Sequence, residues 1–260
     1  MSVTTQAEGK RTDEPRPAGS LHRISAQCLA ELEMTARRGE SVLLTLGIPV
    51  VLLVFFSAVH ALPTGDGNPI AFLAPGILSL AVMSTAMVNL GIATGFERGY
   101  GVLKRLGTTP LGRPALLAAK TGAILVVEML QFAVLVPISV GLGWHPAGGA
   151  AVALVVVLLG TSAFAGIGLA LAGSLRAEVN LAAANGLWLV MLLVSGMLVP
   201  LARLPGWLEG ISKFLPSAAI TAALHGALGT ASAVPAWSWI TLSAWALLAP
   251  VVAAATFRWE

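Results

Sequence analysis

Six continuously apolar runs, at about 41–61, 70–95, 115–141, 150–174, 181–203 and 236–257, alternate with short polar segments along the 260-residue chain. Each is long enough for a bilayer-spanning helix, which needs about 20 mainly apolar residues. None shows the alternation of apolar and polar positions expected of a barrel strand. The pattern therefore predicts an all-α polytopic membrane protein with six transmembrane helices. Pro49, Pro75 and Pro137 fall inside runs, where a proline bends a helix without necessarily ending it.

The segments between runs add two elements. From 21 to 39, Leu21, Ile24, Cys28, Leu29 and Leu32 recur at helical spacing among Arg23, Glu31, Glu33, Arg37 and Arg38. This predicts an N-terminal interfacial helix on the inner membrane surface, with a solvated cytoplasmic helix as the alternative. Residues 204–229 are too apolar for an ordinary exposed loop, yet Pro205 and Pro216 break them. They predict a re-entrant extracellular helical hairpin between spans five and six. Trp207, Trp237 and Trp239 fit an aromatic belt at that surface. Residues 1–20, rich in Pro, Gly and charge, read as a disordered cytoplasmic tail. That leaves 21–260 as one six-span membrane domain.

Composition supports this picture: 57% of residues are hydrophobic, 10% are charged, and mean hydropathy is +0.86. Soluble domains carry roughly 25% charged residues. Charge also sets orientation. With the N-terminus inside, thirteen of the 15 Lys and Arg residues fall on the cytoplasmic side. Only Arg203 and Lys213 fall outside, so the bias places both termini in the cytoplasm. An anionic inner leaflet suffices as partner for the basic side, and no nucleic acid is implied. The first apolar run lacks a nearby small-residue cleavage site, so no signal peptide is expected. The single Cys28 excludes an intramolecular disulfide.

The loop between the second and third runs holds a concentration of charge and glycine, from Phe96 through Lys120. Gly99 and Gly101 permit a sharp exit from span two. Val102, Leu103 and Leu106 can share one face of a short helix, with Lys104 and Arg105 on the other. Thr109-Pro110 is a good helix-start pair. A basic loop that only fixes topology is the alternative.

In their order, Glu97-Arg98, Gly101, Leu103-Lys104-Arg105-Leu106 and Thr109-Pro110 resemble the signature loop of type-2 ATP-binding-cassette exporter permeases, the membrane subunits of drug, polysaccharide and lipid exporters. Gly99 stands where an acidic residue is frequent in that family, and Val102 where Thr is frequent. Ser195-Gly196-Met197-Leu198-Val199-Pro200, Leu204-Pro205-Gly206-Trp207 and Phe214-Leu215-Pro216 resemble its fifth-span end and outer hairpin. The resemblance covers about residues 21–257. It implies that Glu97, Arg98, Gly101, Leu103, Lys104, Arg105, Leu106, Thr109 and Pro110 form a coupling element seated in a groove of an ATPase subunit. The chain has no Gly-x-x-x-x-Gly-Lys-Ser/Thr loop. ATP and Mg²⁺ would therefore sit on a separate ATPase subunit, present in two copies, and the permease would bind no cofactor directly. Six spans are half of such a pathway, so a dimer with a second copy or a close paralogue is implied.

Glu128 lies in the middle of the third run with Gln131 three residues on. A charge there costs about 2.5–3.5 kcal/mol or more on insertion scales, so it should face protein or water. Glu128 and Gln131, with Asn89 and Asn185, are candidates for a substrate pathway. The alternative is a Glu bonded to a neighbouring helix, through Asn89 or Asn185. Asn180 reads as helix–helix glue, and Ser162, Gly166, Ala170 and Ser174 as a close-packing face. His60, His145 and His225 are too scattered for a metal site.

These features favour a drug-resistance-type export permease over an ion-coupled secondary transporter, which usually carries several intramembrane ionisable residues. An embedded enzyme is disfavoured: the apolar runs hold no His-Glu-x-x-His and no paired aspartates. A pathway of apolar residues plus Glu128 and Gln131 suits a lipophilic drug or lipid. The Ala-, Leu-, Gly- and Val-rich composition suggests a high-GC bacterial genome, and with it a bacterial plasma membrane.

Overall fold

Uninterrupted apolar runs satisfy their backbone groups within the segment, and the chain folds accordingly into helices with no strand among the described residues. The structure, a computed structural model, describes residues 19–37, 39–59, 69–107, 112–229 and 233–257. Helices α1 (Ser20–Arg37) and α2 (Gly39–Val59) precede α3 (Pro69–Met83) and α4 (Leu90–Gly99). A π-helical segment, Ser84–Asn89, joins the last two into one helix from Pro69 to Gly99. The short α5 (Val102–Leu106) leads to α6 (Arg113–Gly141), α7 (Ala150–Ser174) and α8 (Ala177–Val194). A 3-10 turn, Leu201–Arg203, α9 (Gly206–Ser212), α10 (Pro216–Leu228) and α11 (Ala236–Thr256) follow. Among the described residues, five helices are long and apolar enough to cross a membrane: 69–99, α6, α7, α8 and α11. Helix α2 adds a shorter apolar stretch, Thr45–Val59.

Helix α7 is the centre of the bundle and packs on α11, α4 and α10. Its small residues make that possible. Ser162 Oγ donates to Ala246 O of α11 at 2.9 Å, and a Cβ on Gly166 would lie 2.5 Å from the backbone of Ala249 and Pro250. The expected close-packing face is thus present at Ser162 and Gly166, whereas Ser174 is exposed and bonds back to its own helix. A second face, which the sequence reading did not single out, meets span two: a Cβ on Gly168 would lie 2.5 Å from Met87 O. Asn180 Nδ2 donates to Gly91 O at 2.8 Å and ties α8 to α4, as helix glue should.

The end of the fifth span differs from the expected one. The fifth run was expected to stay helical to 203, but α8 stops at Val194. Ser195 Oγ donates to Leu192 O and accepts the Met197 N–H, and Gly196 takes φ 77°. The chain then folds inward, burying Met197 completely. Its carbonyl comes so near Gly76 that a Cβ there would lie 2.2 Å away. Apolar residues 197–199 therefore continue the hydropathy signal without continuing the helix. Helix α10 is mostly buried against α7, α11 and α3, and a His225 ring nitrogen lies 3.0 Å from Phe72 O.

Candidate functional site

The end of span two is fixed by two neighbouring charges that point in different directions. Glu97 is buried and accepts from Lys120 Nζ at 2.6 Å; the same ammonium donates to Glu31 Oε2 of α1 at 2.9 Å. Gln27 Nε2 donates to the other Glu31 oxygen at 2.8 Å. Lys120 is 1% exposed, so one ammonium joins α1, α4 and α6 in the interior. Arg98 donates to the carbonyls of Gly173 and Leu175. Those groups lie at the C-terminus of α7, where the helix leaves carbonyls unpaired and favours a cation.

Beyond these anchors the chain turns through Tyr100 and Gly101, whose φ of 72° favours glycine. Gly99, expected to share in the turn, is helical instead. Helix α5 follows, and its Leu103 is completely buried in the protein's own core, with Leu106 packed beside it. Tyr100, Val102, Lys104 and Arg105 are exposed. The expected apolar docking face is thus turned inward at Leu103, and the outward face is aromatic and basic. Thr109 and Pro110 lie outside the described residues.

The polar residues of the spans divide into two groups. Gln131 is buried, donating from Nε2 to Thr45 O at 2.9 Å and accepting from Thr85 Oγ1 at 3.0 Å. Glu128 is buried against Thr161 of α7, not against Asn89 or Asn185 as the sequence suggested. Glu128 and Gln131 are both buried within this chain and hydrogen-bond to neighbouring helices. The Thr161 hydroxyl reaches both the Glu128 carboxyl and Val157 O, with one proton to give. Glu128→Gln, which keeps a hydrogen-bonding group there, is expected to shift thermal unfolding little. Glu128→Lys should cost at least about 3 kcal/mol, by leaving an unpaired buried charge; thermal unfolding of the two purified variants separates these outcomes. By contrast Asn89 and Asn185 are exposed: Asn89 donates to Thr45 Oγ1 at 2.8 Å, and Asn185 to Leu181 O of its own helix.

Between α1, α2, the 69–99 helix and α6 lies a cavity of about 1190 Å³. Leu46, Val50, Ile92, Ile124 and Val127 line its apolar part, and Asn89, Thr45 and Thr85 add polar groups. Glu31, Glu97, Lys120, Phe96 and Tyr100 also line it. Sequence reasoning counted Lys120 only as an inner-side cation and missed this cluster. The available signal was a lysine inside the third helical run, which demands a carboxylate partner. Nearby Cys28 has its thiol pushed up by partial burial and then by the Glu31 carboxylate, which makes it a poor nucleophile.

A bundle of long apolar helices, with a basic connecting segment locked to its interior, is the architecture of a helical membrane protein. The chain belongs to the ABC-2 type transporter family, whose pattern matches residues 26–228. It is 31% identical over 155 residues to the linearmycin resistance permease protein LnrN of Bacillus subtilis (strain 168). That match covers 58% of this chain and 39% of LnrN, so the chain spans well under half of that relative. It is 24% identical over 205 residues to the putative transport permease YvfS of the same organism, covering 75% of this chain and 80% of YvfS.

Proposed function

We propose that this chain is the permease subunit of an ATP-binding-cassette exporter in a bacterial plasma membrane, moved by a separate ATPase subunit that docks on residues 97–110. The observation that carries the reading is the rigid mounting of α5. Glu97, Arg98 and Leu103 fasten its base to α1, α6, α7 and the core, while Tyr100, Val102, Lys104 and Arg105 face outward. A push on such a face is delivered to the spans instead of being lost in a loop. The coupling roles divide accordingly: Glu97, Arg98, Gly101, Leu103 and Leu106 hold the element, and Lys104 and Arg105 with Tyr100 meet the ATPase.

In this reading α2 and the five longer helices are the six spans, both termini are cytoplasmic, and α9–α10 form a hairpin returning into the outer leaflet. Two permease copies, or this chain and a close paralogue, pair with two ATPase subunits carrying ATP and Mg²⁺. The exposed Asn89 and Asn185 line the pathway or the pairing face, where the rest of each amide finds partners that lipid cannot supply. The cargo is a lipophilic drug or lipid-like molecule; resistance is what the name of LnrN attributes to that relative. Ion-coupled transport through Glu128 has less support, because that carboxyl is packed between α6 and α7.

A photo-crosslinking amino acid at Tyr100 tests the docking. With a co-expressed ATPase it is expected to capture that subunit, whereas the same group at Leu247, exposed on α11, should not. Equal yields at both positions would remove the docking assignment. Lys104→Glu/Arg105→Glu should lose the ATPase while the permease remains folded. Leu103→Glu should instead cost several kcal/mol of the permease's own stability, because its site is fully buried. Thermal unfolding of the isolated permease separates the two effects.

A further inference from the structure

The cavity between α1, α2, the 69–99 helix and α6 combines three features that select one ligand chemistry. Its volume, about 1190 Å³, is at or above the upper end for drug-sized ligand sites, and most of its lining is apolar. At one part of its wall sits the Glu31–Lys120–Glu97 cluster, in which two carboxylates share one ammonium. Beside it stand Phe96 and Tyr100, stacked with ring centroids 6.1 Å apart. With all three ionised, the cluster has one negative charge in excess. Aromatic faces attract cations as well. We propose that this cavity is a binding site for a monocationic amphiphile: the cationic head lies against Glu31, Glu97 and the Phe96–Tyr100 pair, and the apolar body lies between α2 and α6.

Charge complementarity argues for this occupant. An entering cation supplies the positive charge that the cluster lacks, whereas an anionic head meets the excess carboxylate, and a neutral head leaves it uncompensated. The apolar walls, Leu46 and Val50 on one side and Ile124 and Val127 on the other, give the tail a continuous surface. The inference deepens the exporter reading by naming a cargo class, and rests on it only for the direction of movement. Binding itself requires no ATPase.

The test uses the full chain in lipid nanodiscs without any ATPase, so failure here is separate from failure of docking. Three photoreactive probes share one diazirine-bearing alkyl chain and differ in head group: trimethylammonium, sulfonate and maltoside. The trimethylammonium probe is expected to label α2 and α6 cavity residues about tenfold above the other two, a difference typical of one charge-assisted contact. Glu31→Gln keeps the Lys120–Glu97 pair and should reduce that labelling about tenfold, leaving the maltoside probe unchanged. Ile124→Trp, which narrows the apolar part of the cavity between α2 and α6, should reduce labelling by every probe, with elution as a folded particle as control. Equal labelling by all three heads would assign the space to ordinary lipid and overturn the proposal. Labelling insensitive to Glu31→Gln, or absent from the cavity residues, would overturn it as well.

Discussion

Lys120→Met is expected to destabilise the protein by about 3–5 kcal/mol, the usual cost of stranding buried charges. The reason lies in the count of charges. Lys120 is 1% exposed and answers two carboxylates, Glu31 at 2.9 Å and Glu97 at 2.6 Å. Removing the ammonium leaves both carboxylates in the interior with no counterion. It also uncouples α1 from the base of the α5 element. A second, less intuitive result is expected of the triple variant Glu31→Gln/Lys120→Met/Glu97→Gln. With every charge gone, no desolvated ion remains, and most of the lost stability should return. Thermal unfolding in one detergent, with the single and triple variants side by side, gives both numbers. A triple variant as unstable as the single one would mean that the cluster acts through specific hydrogen bonds and not through charge balance.

Gly166→Val is expected to prevent stable assembly of the bundle. A Cβ at that position would lie 2.5 Å from the Ala249 carbonyl carbon and the Pro250 nitrogen. These are backbone atoms of α11, so no side-chain rotation relieves the clash; the helices must separate. Overpacking costs about 1–3 kcal/mol where neighbours can shift, and more where they cannot. Gly160→Ala provides the contrast on the same helix. Its added Cβ would meet the Ile220 Cδ1 atom at 2.3 Å, the far end of a flexible side chain. A loss of about 1 kcal/mol or less is expected there once Ile220 changes rotamer. Monodispersity and thermal unfolding of the two variants should therefore differ sharply, and equal losses would contradict the packing described for α7 and α11.

The helices were legible because hydropathy reports burial from water, whether the apolar surroundings are lipid or protein. The run at 150–174 coincides with α7, and that at 115–141 falls within Arg113–Gly141. The same indifference produced the error at span five. Met197 is as apolar as a lipid-facing residue, but it is buried by folding back onto Gly76. Leu103 illustrates the limit at the site. A five-residue amphipathic turn has one sequence signature whether its apolar face meets a partner or the protein's own core. Partners distant in sequence were likewise illegible: nothing local to Glu128 points to Thr161, or local to Lys120 to Glu31. The π-helical segment at Ser84–Asn89 has no marker in its sequence either.

The central claim is that a separate ATPase drives this membrane subunit through the α5 face. Its most direct test is the ATP hydrolysis rate of the permease co-purified with an ATPase subunit from its genomic neighbourhood, compared with Lys104→Glu/Arg105→Glu. The expected result is a stable complex whose hydrolysis exceeds that of the ATPase alone, and loss of both association and stimulation in a variant that remains folded. A charge-reversed variant that still binds and stimulates the ATPase would contradict it.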